Sequence, residues 1–181
     1  MDEARERQRV FLALRPPGPL RSALAAVGRR QARAGGGRPV PAENIHLTLA
    51  FLGSLRPPQV EAVRRLAGGL EARAFHLRLE RLGLWRRGGI LWAGGAETPP
   101  ALAALVAALR DGLGRLGFQV DRRPFRVHLT LVRGARRAGR WDGPPLDWAV
   151  EDFRLYASRL DGAGARYTEL DRWPLGPAAD G

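Results

Sequence analysis

Two of the three histidines in this sequence head the same four-residue word, His-Leu-Thr-Leu, at 46–49 and again at 128–131. Histidine is the side chain whose ordinary pKa lets it give or take a proton near neutrality. In an extended segment successive side chains alternate between faces. His46 and Thr48 would then share one face, with Leu47, Leu49 and Phe51 on the other. His128 and Thr130 stand likewise over Leu129 and Leu131. Each copy offers an imidazole beside a hydroxyl, on a strand held by its apolar back. Two imidazoles facing each other across a shared space are what in-line displacement at phosphorus needs. One takes the proton of the attacking oxygen and the other protonates the departing one. The threonines can donate hydrogen bonds to the non-bridging oxygens, whose charge must be held while phosphorus changes geometry.

A metal centre is the competing use for paired histidines, because imidazole binds zinc and iron. It requires a third ligand, and no carboxylate falls on the expected face of either word; Glu43 and Asp121 lie outside them. No metal is therefore expected. His76 has Arg78 rather than Thr two residues on, and reads as structural. The two copies differ five residues after the histidine, with Phe51 in one and Arg133 in the other. Such a difference is where a two-sided cleft would tell the ends of a substrate apart, with Arg133 on a phosphate and Phe51 beneath a base. Strict alternation opposes this, since it turns both side chains away from the histidines and leaves Phe51 to pack in the core.

The elements that must carry these residues follow from local patterns. RVFLAL (9–14) reads as a strand, and an amphipathic helix follows Pro19. HLTLAFL (46–52) reads as a strand, with Gly53 and Gly134 closing the two motif strands. A helix opens at the Pro57–Pro58 pair, and FHLRLERLGLW (75–85) reads as one half-buried strand. The order then begins again. ILWAG at 90 answers VFLAL at 10, the helix from Pro100 answers that from Pro19, HLTLV at 128 answers HLTLA at 46, and FRLYASRL at 153 answers FHLRLERL at 75. A displacement of about 80 residues, shared by several elements, points to internal duplication and an approximate two-fold axis. Residues 1–176 are expected to form one two-lobed domain, with 177–181 as a loose tail.

Composition narrows the classes. The 181 residues suffice for one core, with 45% apolar and 27% charged residues as in ordinary globular proteins. No apolar run is long enough to span a bilayer, and the opening MDEARERQRV has no apolar signal core, so a cytoplasmic location is expected. Cysteine is absent, which removes disulfides, thiolate nucleophiles and cysteine-ligated zinc. The formal net charge is +12, and every one of the 30 basic residues is arginine. Guanidinium groups grip phosphate oxygens bidentately, which suits an RNA or nucleotide partner. A base-composition bias toward arginine accounts for the excess equally well.

RVFLAL, ENIHLTLAFLG, ILWAG, PFRVHLTLVR and FRLYASRLDGAGARYTELDRWPL together span nearly the whole chain. They resemble the two-histidine phosphoesterases, and within them the bacterial and archaeal RNA 2',3'-cyclic phosphodiesterases, historically called 2'-5' RNA ligases. The resemblance implies an α+β, bilobal, duplicated fold, with antiparallel sheets forming a central cleft and helices outside. It implies hydrolysis of a terminal 2',3'-cyclic phosphate to a 2'-phosphate without a cofactor. It assigns His46 as proton donor and His128 as acceptor, Thr48 and Thr130 to the phosphate, and Arg133 to the close of the second motif. The implied partners are RNA ends or nucleotides bearing 2',3'-cyclic phosphate, with no membrane, and the protein is expected to be a monomer. Two other outcomes stay open. One is ligation, with a 5'-hydroxyl in place of water. The other is a non-catalytic RNA-end binder, against which stands the presence of all four motif residues.

Overall fold

The computed structural model describes residues 7–162 and 164–178, and its helices and antiparallel sheets form a mixed α+β architecture. Strand β1 (Gln8–Leu14) leads into α1 (Gly18–Gly35), the short β2 (Arg38–Pro39), a single 3-10 turn (Ala42–Asn44) and β3 (Leu47–Leu55). Next come α2 (Pro57–Gly68), β4 (Phe75–Leu79), β5 (Arg81–Trp85), β6 (Ile90–Gly94) and α3 (Pro100–Arg115). The chain ends with β7 (Leu129–Arg133), β8 (Leu146–Val150), β9 (Asp152–Asp161) and β10 (Gly164–Pro174). All three helices carry proline in the first turn, where its missing N–H costs nothing. Helical periodicity then decides which face is buried: Leu20, Leu24, Val27 and Gln31 in α1, and Leu102, Leu105, Val106, Leu109 and Leu113 in α3. Of the expected tail, residues 179–181 lie outside the described residues.

Two four-stranded sheets, ordered β10-β9-β1-β3 and β2-β7-β6-β5, make the two lobes, and β4 pairs with β8 in a ribbon between them. In one lobe β1 lies between β3 and β9, and in the other β6 lies between β7 and β5. β1 therefore corresponds to β6 and β3 to β7, as the sequence predicts. The third correspondence needs correction. FRLYASRL lies in β9, whose counterpart by topology is β5, while β4 answers β8. The expected single strand over 75–85 is broken at Glu80 into β4 and β5, which belong to different sheets. In the β4–β8 ribbon Leu77 stands opposite Trp148, both buried, which places this pair at the pseudo-two-fold axis.

The helices cross over. α1 follows β1 but packs against β7 and β2, and α3 follows β6 but packs against β3. Each helix thus backs the motif strand of the opposite lobe. A Cβ at Gly28 would come within 2.9 Å of the Leu131 carbonyl oxygen, so glycine permits α1 to lie directly on β7. One continuous apolar cluster runs through both lobes, including Leu12, Leu47, Leu77, Leu105, Leu129 and Phe153. Among the described residues no helix is long and apolar enough to cross a membrane.

With a shared core and crossed helices, the two lobes are expected to unfold together. Trp148→Ala, which empties a buried position on the central ribbon, is expected to cost about 3–5 kcal/mol. Far-UV circular dichroism and tryptophan fluorescence should still report one coincident urea transition. Two separated transitions would show lobes that melt independently.

Candidate active site

His46 and His128 each stand one residue ahead of a motif strand, since β3 begins at Leu47 and β7 at Leu129. The sequence placed them on the strands themselves; in the structure each ring turns back along the chain. His46 Nδ1 lies 2.8 Å from the carbonyl oxygen of Asn44, and His128 Nδ1 lies 2.9 Å from that of Arg126. A carbonyl oxygen only accepts, so Nδ1–H donates in both rings and Nε2 is the nitrogen left with a lone pair while the ring is neutral. Thr48 Oγ1 is 3.0 Å from His46 Nε2, to which its hydroxyl donates while the ring is neutral. Asn44 is fixed in turn, because its side-chain amide donates to the Ala165 carbonyl at 2.8 Å. β3 and β7 approach each other across the seam, and His46 is near enough to His128 and Arg133 for both to oppose its protonation.

Two β-bulges decide where Phe51 and Arg133 point. Along β1, Ala13 faces Thr48 and Leu12 faces Ala50, so Leu49 is an extra residue in β3. Along β6, Trp92 faces Thr130 and Leu91 faces Val132, so Leu131 is the equivalent extra residue in β7. An added residue reverses the alternation beyond it. Leu131 and Val132 are both fully buried, and Leu49 and Ala50 both pack into the core. Phe51 and Arg133 therefore return to the histidine face, opposite to where strict alternation sends them. Phe51 is 51% exposed, with the Arg9 guanidinium 4.7 Å above its ring, which overturns the expectation of core packing. A second bulge, at Leu52, is followed by Gly53 at φ 75°, and β3 continues to Leu55 instead of ending there. Gly134 does close β7 as expected.

The surroundings of the two imidazoles are aromatic and unequal. The His46 ring is 4.8 Å from Phe11 and meets Tyr167 edge-on at 5.2 Å. His128 is 4.6 Å from Trp85, which is 38% exposed and adjoins Trp92 at 5.8 Å. The Trp92 indole lies against Gly83, where any Cβ would overlap the ring. None of these four aromatic residues was selected from sequence. The signal available was the alternation of Arg9, Phe11 and Ala13 along β1, which becomes informative once β1 is known to border β3. His76 is exposed on β4, outside the cleft. Among the described residues no three His, Asp or Glu side chains are grouped to hold a metal ion.

The sequence matches the family described as LigT like Phosphoesterase over residues 14–92 and 95–167, dividing near the boundary between the repeats. The chain belongs to the LigT-like phosphoesterase family. An RNA 2',3'-cyclic phosphodiesterase of Escherichia coli (strain K12) is 38% identical over 172 residues, covering 94% of this chain and 98% of the relative. A protein of the same name from Thermus thermophilus is 35% identical, covering 92% of this chain and 90% of the relative. The crystal structure of E. coli LigT complexed with 3'-AMP superimposes with a TM-score of 0.84 at 37% identity, covering 94% of this chain and 99% of that one.

In this LigT-like phosphoesterase both imidazoles are disposed to stay neutral when the cleft is empty. Burial strips water from the charged form of His46 and lowers its pKa to about 4; the charges of Arg133, His128 and Arg15 push the same way, against the Asn44 carbonyl. Burial also lowers the pKa of His128, opposed by the Arg126 carbonyl. The depression of His46 makes folding pH-dependent. Between its ordinary value of 6.5 and about 4, the unfolded chain binds a proton that the folded protein refuses. Stability should therefore rise with pH across that window, by at most about 1.4 kcal/mol per pH unit from this group, and level off above it. Urea denaturation of wild type and His46→Gln from pH 4 to 7 isolates that share. Equal slopes for the two proteins would show that His46 is not depressed.

Proposed function

We propose that the protein hydrolyses the 2',3'-cyclic phosphate at an RNA end to a 2'-phosphate, by side-chain acid–base catalysis alone. The observation that carries this reading is the matched pair of imidazoles. Each is held by Nδ1 to a carbonyl two residues back, which leaves Nε2 of each to exchange protons, with Thr48 against that of His46, at the heads of neighbouring strands in two related lobes. The curated relatives supply the substrate class, being named RNA 2',3'-cyclic phosphodiesterases.

A water oxygen attacks phosphorus while His128 Nε2 takes its proton. The bond from phosphorus to O3' breaks, and protonated His46 Nε2 gives its proton to that oxygen. The bond to O2' is kept, so the phosphate remains there. Thr48 and Thr130 donate to the non-bridging oxygens, Arg133 balances their charge, and Phe51 offers an exposed ring to a base.

One feature of the free protein opposes these roles. His46, the assigned acid, is the more strongly depressed imidazole. A bound phosphate anion reverses the balance, since it neutralises Arg133 and directly stabilises an imidazolium beside it. The acid is thus charged by substrate binding. Both motifs come from one chain, so a monomer is sufficient for the site.

A substrate with sulfur replacing O3' separates the roles, because a thiolate departs without needing a proton. With EDTA present, His46→Ala and His128→Ala should each lower kcat/KM on the oxygen ester by about 10²–10⁴-fold. The sulfur ester should largely restore His46→Ala and leave His128→Ala impaired. Restoration of His128→Ala instead would reverse the assignments, and full activity of both variants on the oxygen ester would overturn the site.

A further inference from the structure

A cavity of about 330 Å³ lies beside the cleft without including either motif histidine. Arg15, just after β1, and Arg21, in the first turn of α1, line it together with Arg154 and Arg172, on β9 and β10, and the carboxylates Glu151 and Asp152. The sheet register ties this cavity to the reacting groups. Arg172 pairs with Arg154, Arg154 with Ala13, and Ala13 with Thr48. Directly paired residues share a face, so the four side chains stand in one row across the sheet. Arg154 and Thr48 are two strand spacings apart, about 10 Å between backbones. Between them stands Ala13, the smallest side chain of the row. Arg15 lies two residues beyond Ala13, and its charge is felt at His46.

The charges in the cavity are incompletely balanced. Asp152 accepts from Arg154 at 2.7 Å and from Arg172 at 2.9 Å, and Arg154 also donates to Glu169 at 2.9 Å. These carboxylates are therefore committed. Among the described residues, Arg15 and Arg21 form no salt bridge, and Arg21 Nε is buried without a hydrogen-bond partner. Burial of Arg21 and the repulsion of Arg15 and Arg154 outweigh the attraction of Tyr156 and Glu43, so its pKa is lowered. Two crowded guanidinium groups with open donors are a site for a doubly or singly charged oxyanion.

We infer that this cavity binds a second phosphate of the same substrate, the one on the 5'-oxygen of the terminal nucleoside, and so favours nucleotide chains over bare nucleoside cyclic phosphates. The inference rests on the reading of the cleft as a cyclic phosphodiesterase site. Bound there, the second phosphate would hold the terminal nucleoside in one direction along the row, with its cyclic ester at Thr48 and its 5' end toward Arg21.

The test compares kcat/KM for a nucleoside 2',3'-cyclic phosphate, the same compound carrying a 5'-phosphate, and a dinucleotide ending in the same cyclic ester. At low salt, a gain of at least about tenfold over the bare nucleoside ester is expected, shrinking as salt is added. A gain for the monoester alone assigns the cavity to free nucleotides, and a gain for the dinucleotide assigns it to RNA. Arg21→Gln should reduce the ratio toward one. Because the ratio is taken within each protein, a partly folded variant does not disturb it. A wild-type ratio near one, or a ratio that Arg21→Gln leaves unchanged, overturns the inference. Calorimetric titration with a nucleoside 3',5'-bisphosphate and with the 3'-monophosphate reads the same preference without turnover. Preference in binding with no hydrolysis of any ester would sink the reaction and leave the cavity standing; hydrolysis without preference would do the reverse.

Discussion

Each motif imidazole is oriented by the same hydrogen bond, from Nδ1–H to a carbonyl two residues earlier, at 2.8 Å for His46 and 2.9 Å for His128. That bond requires the histidine to stand just ahead of its strand, where the chain has not yet entered the ladder and the earlier carbonyl still faces the ring. It sets the tautomer, and with it Nε2 as the nitrogen free to take a proton. The hydrophobic architecture behind it is arranged to hold this geometry. The helix of each lobe crosses to brace the opposite motif strand, and the β4–β8 ribbon joins the lobes at their axis. Rigid backing matters because reacting groups displaced by even a fraction of an ångström lose much of the advantage of being positioned.

The bulges at Leu49 and Leu131 are the second device. Without them alternation would put Ala50 and Val132 next to the threonines on the cleft face. With them that place goes to Phe51 and Arg133, unlike residues at the two equivalent positions of the duplicated fold. The surroundings diverge in the same way, with His46 between Phe11 and Tyr167 and His128 beside Trp85. A fold with two similar halves thus presents two unlike sides to whatever lies between the histidines. Because the two imidazoles are buried to different degrees, they also differ in how readily they take a proton before the substrate arrives.

Much of this was legible in the sequence because it is written in local pattern. The repeated word, the proline-opened helices and the correspondence of β1 with β6 and of β3 with β7 can all be read without coordinates, and the topology follows them. Register was not legible, since it belongs to pairs of strands. Leu49–Ala50 and Leu131–Val132 give no sign that alternation reverses there; only Leu12 and Leu91 across the ladder reveal it. β10 was overlooked because it has no fully buried face, its residues being half-buried or exposed throughout. Glu80 divides β4 from β5 without a glycine or proline to mark the break, and this misdirected the third repeat correspondence. The aromatic surroundings of the histidines depended on the same missing knowledge of which strands lie side by side.

Two imidazoles serving opposite sides of one phosphorus atom imply a single displacement. One diastereomer of a 2',3'-cyclic phosphorothioate, hydrolysed in heavy-oxygen water, yields a product whose configuration at phosphorus records the number of displacements. Inversion is the outcome required by water attack opposite the departing 3'-oxygen. Retention would mean two successive displacements through a phosphorylated histidine, and would contradict the division of the site into one acid and one base.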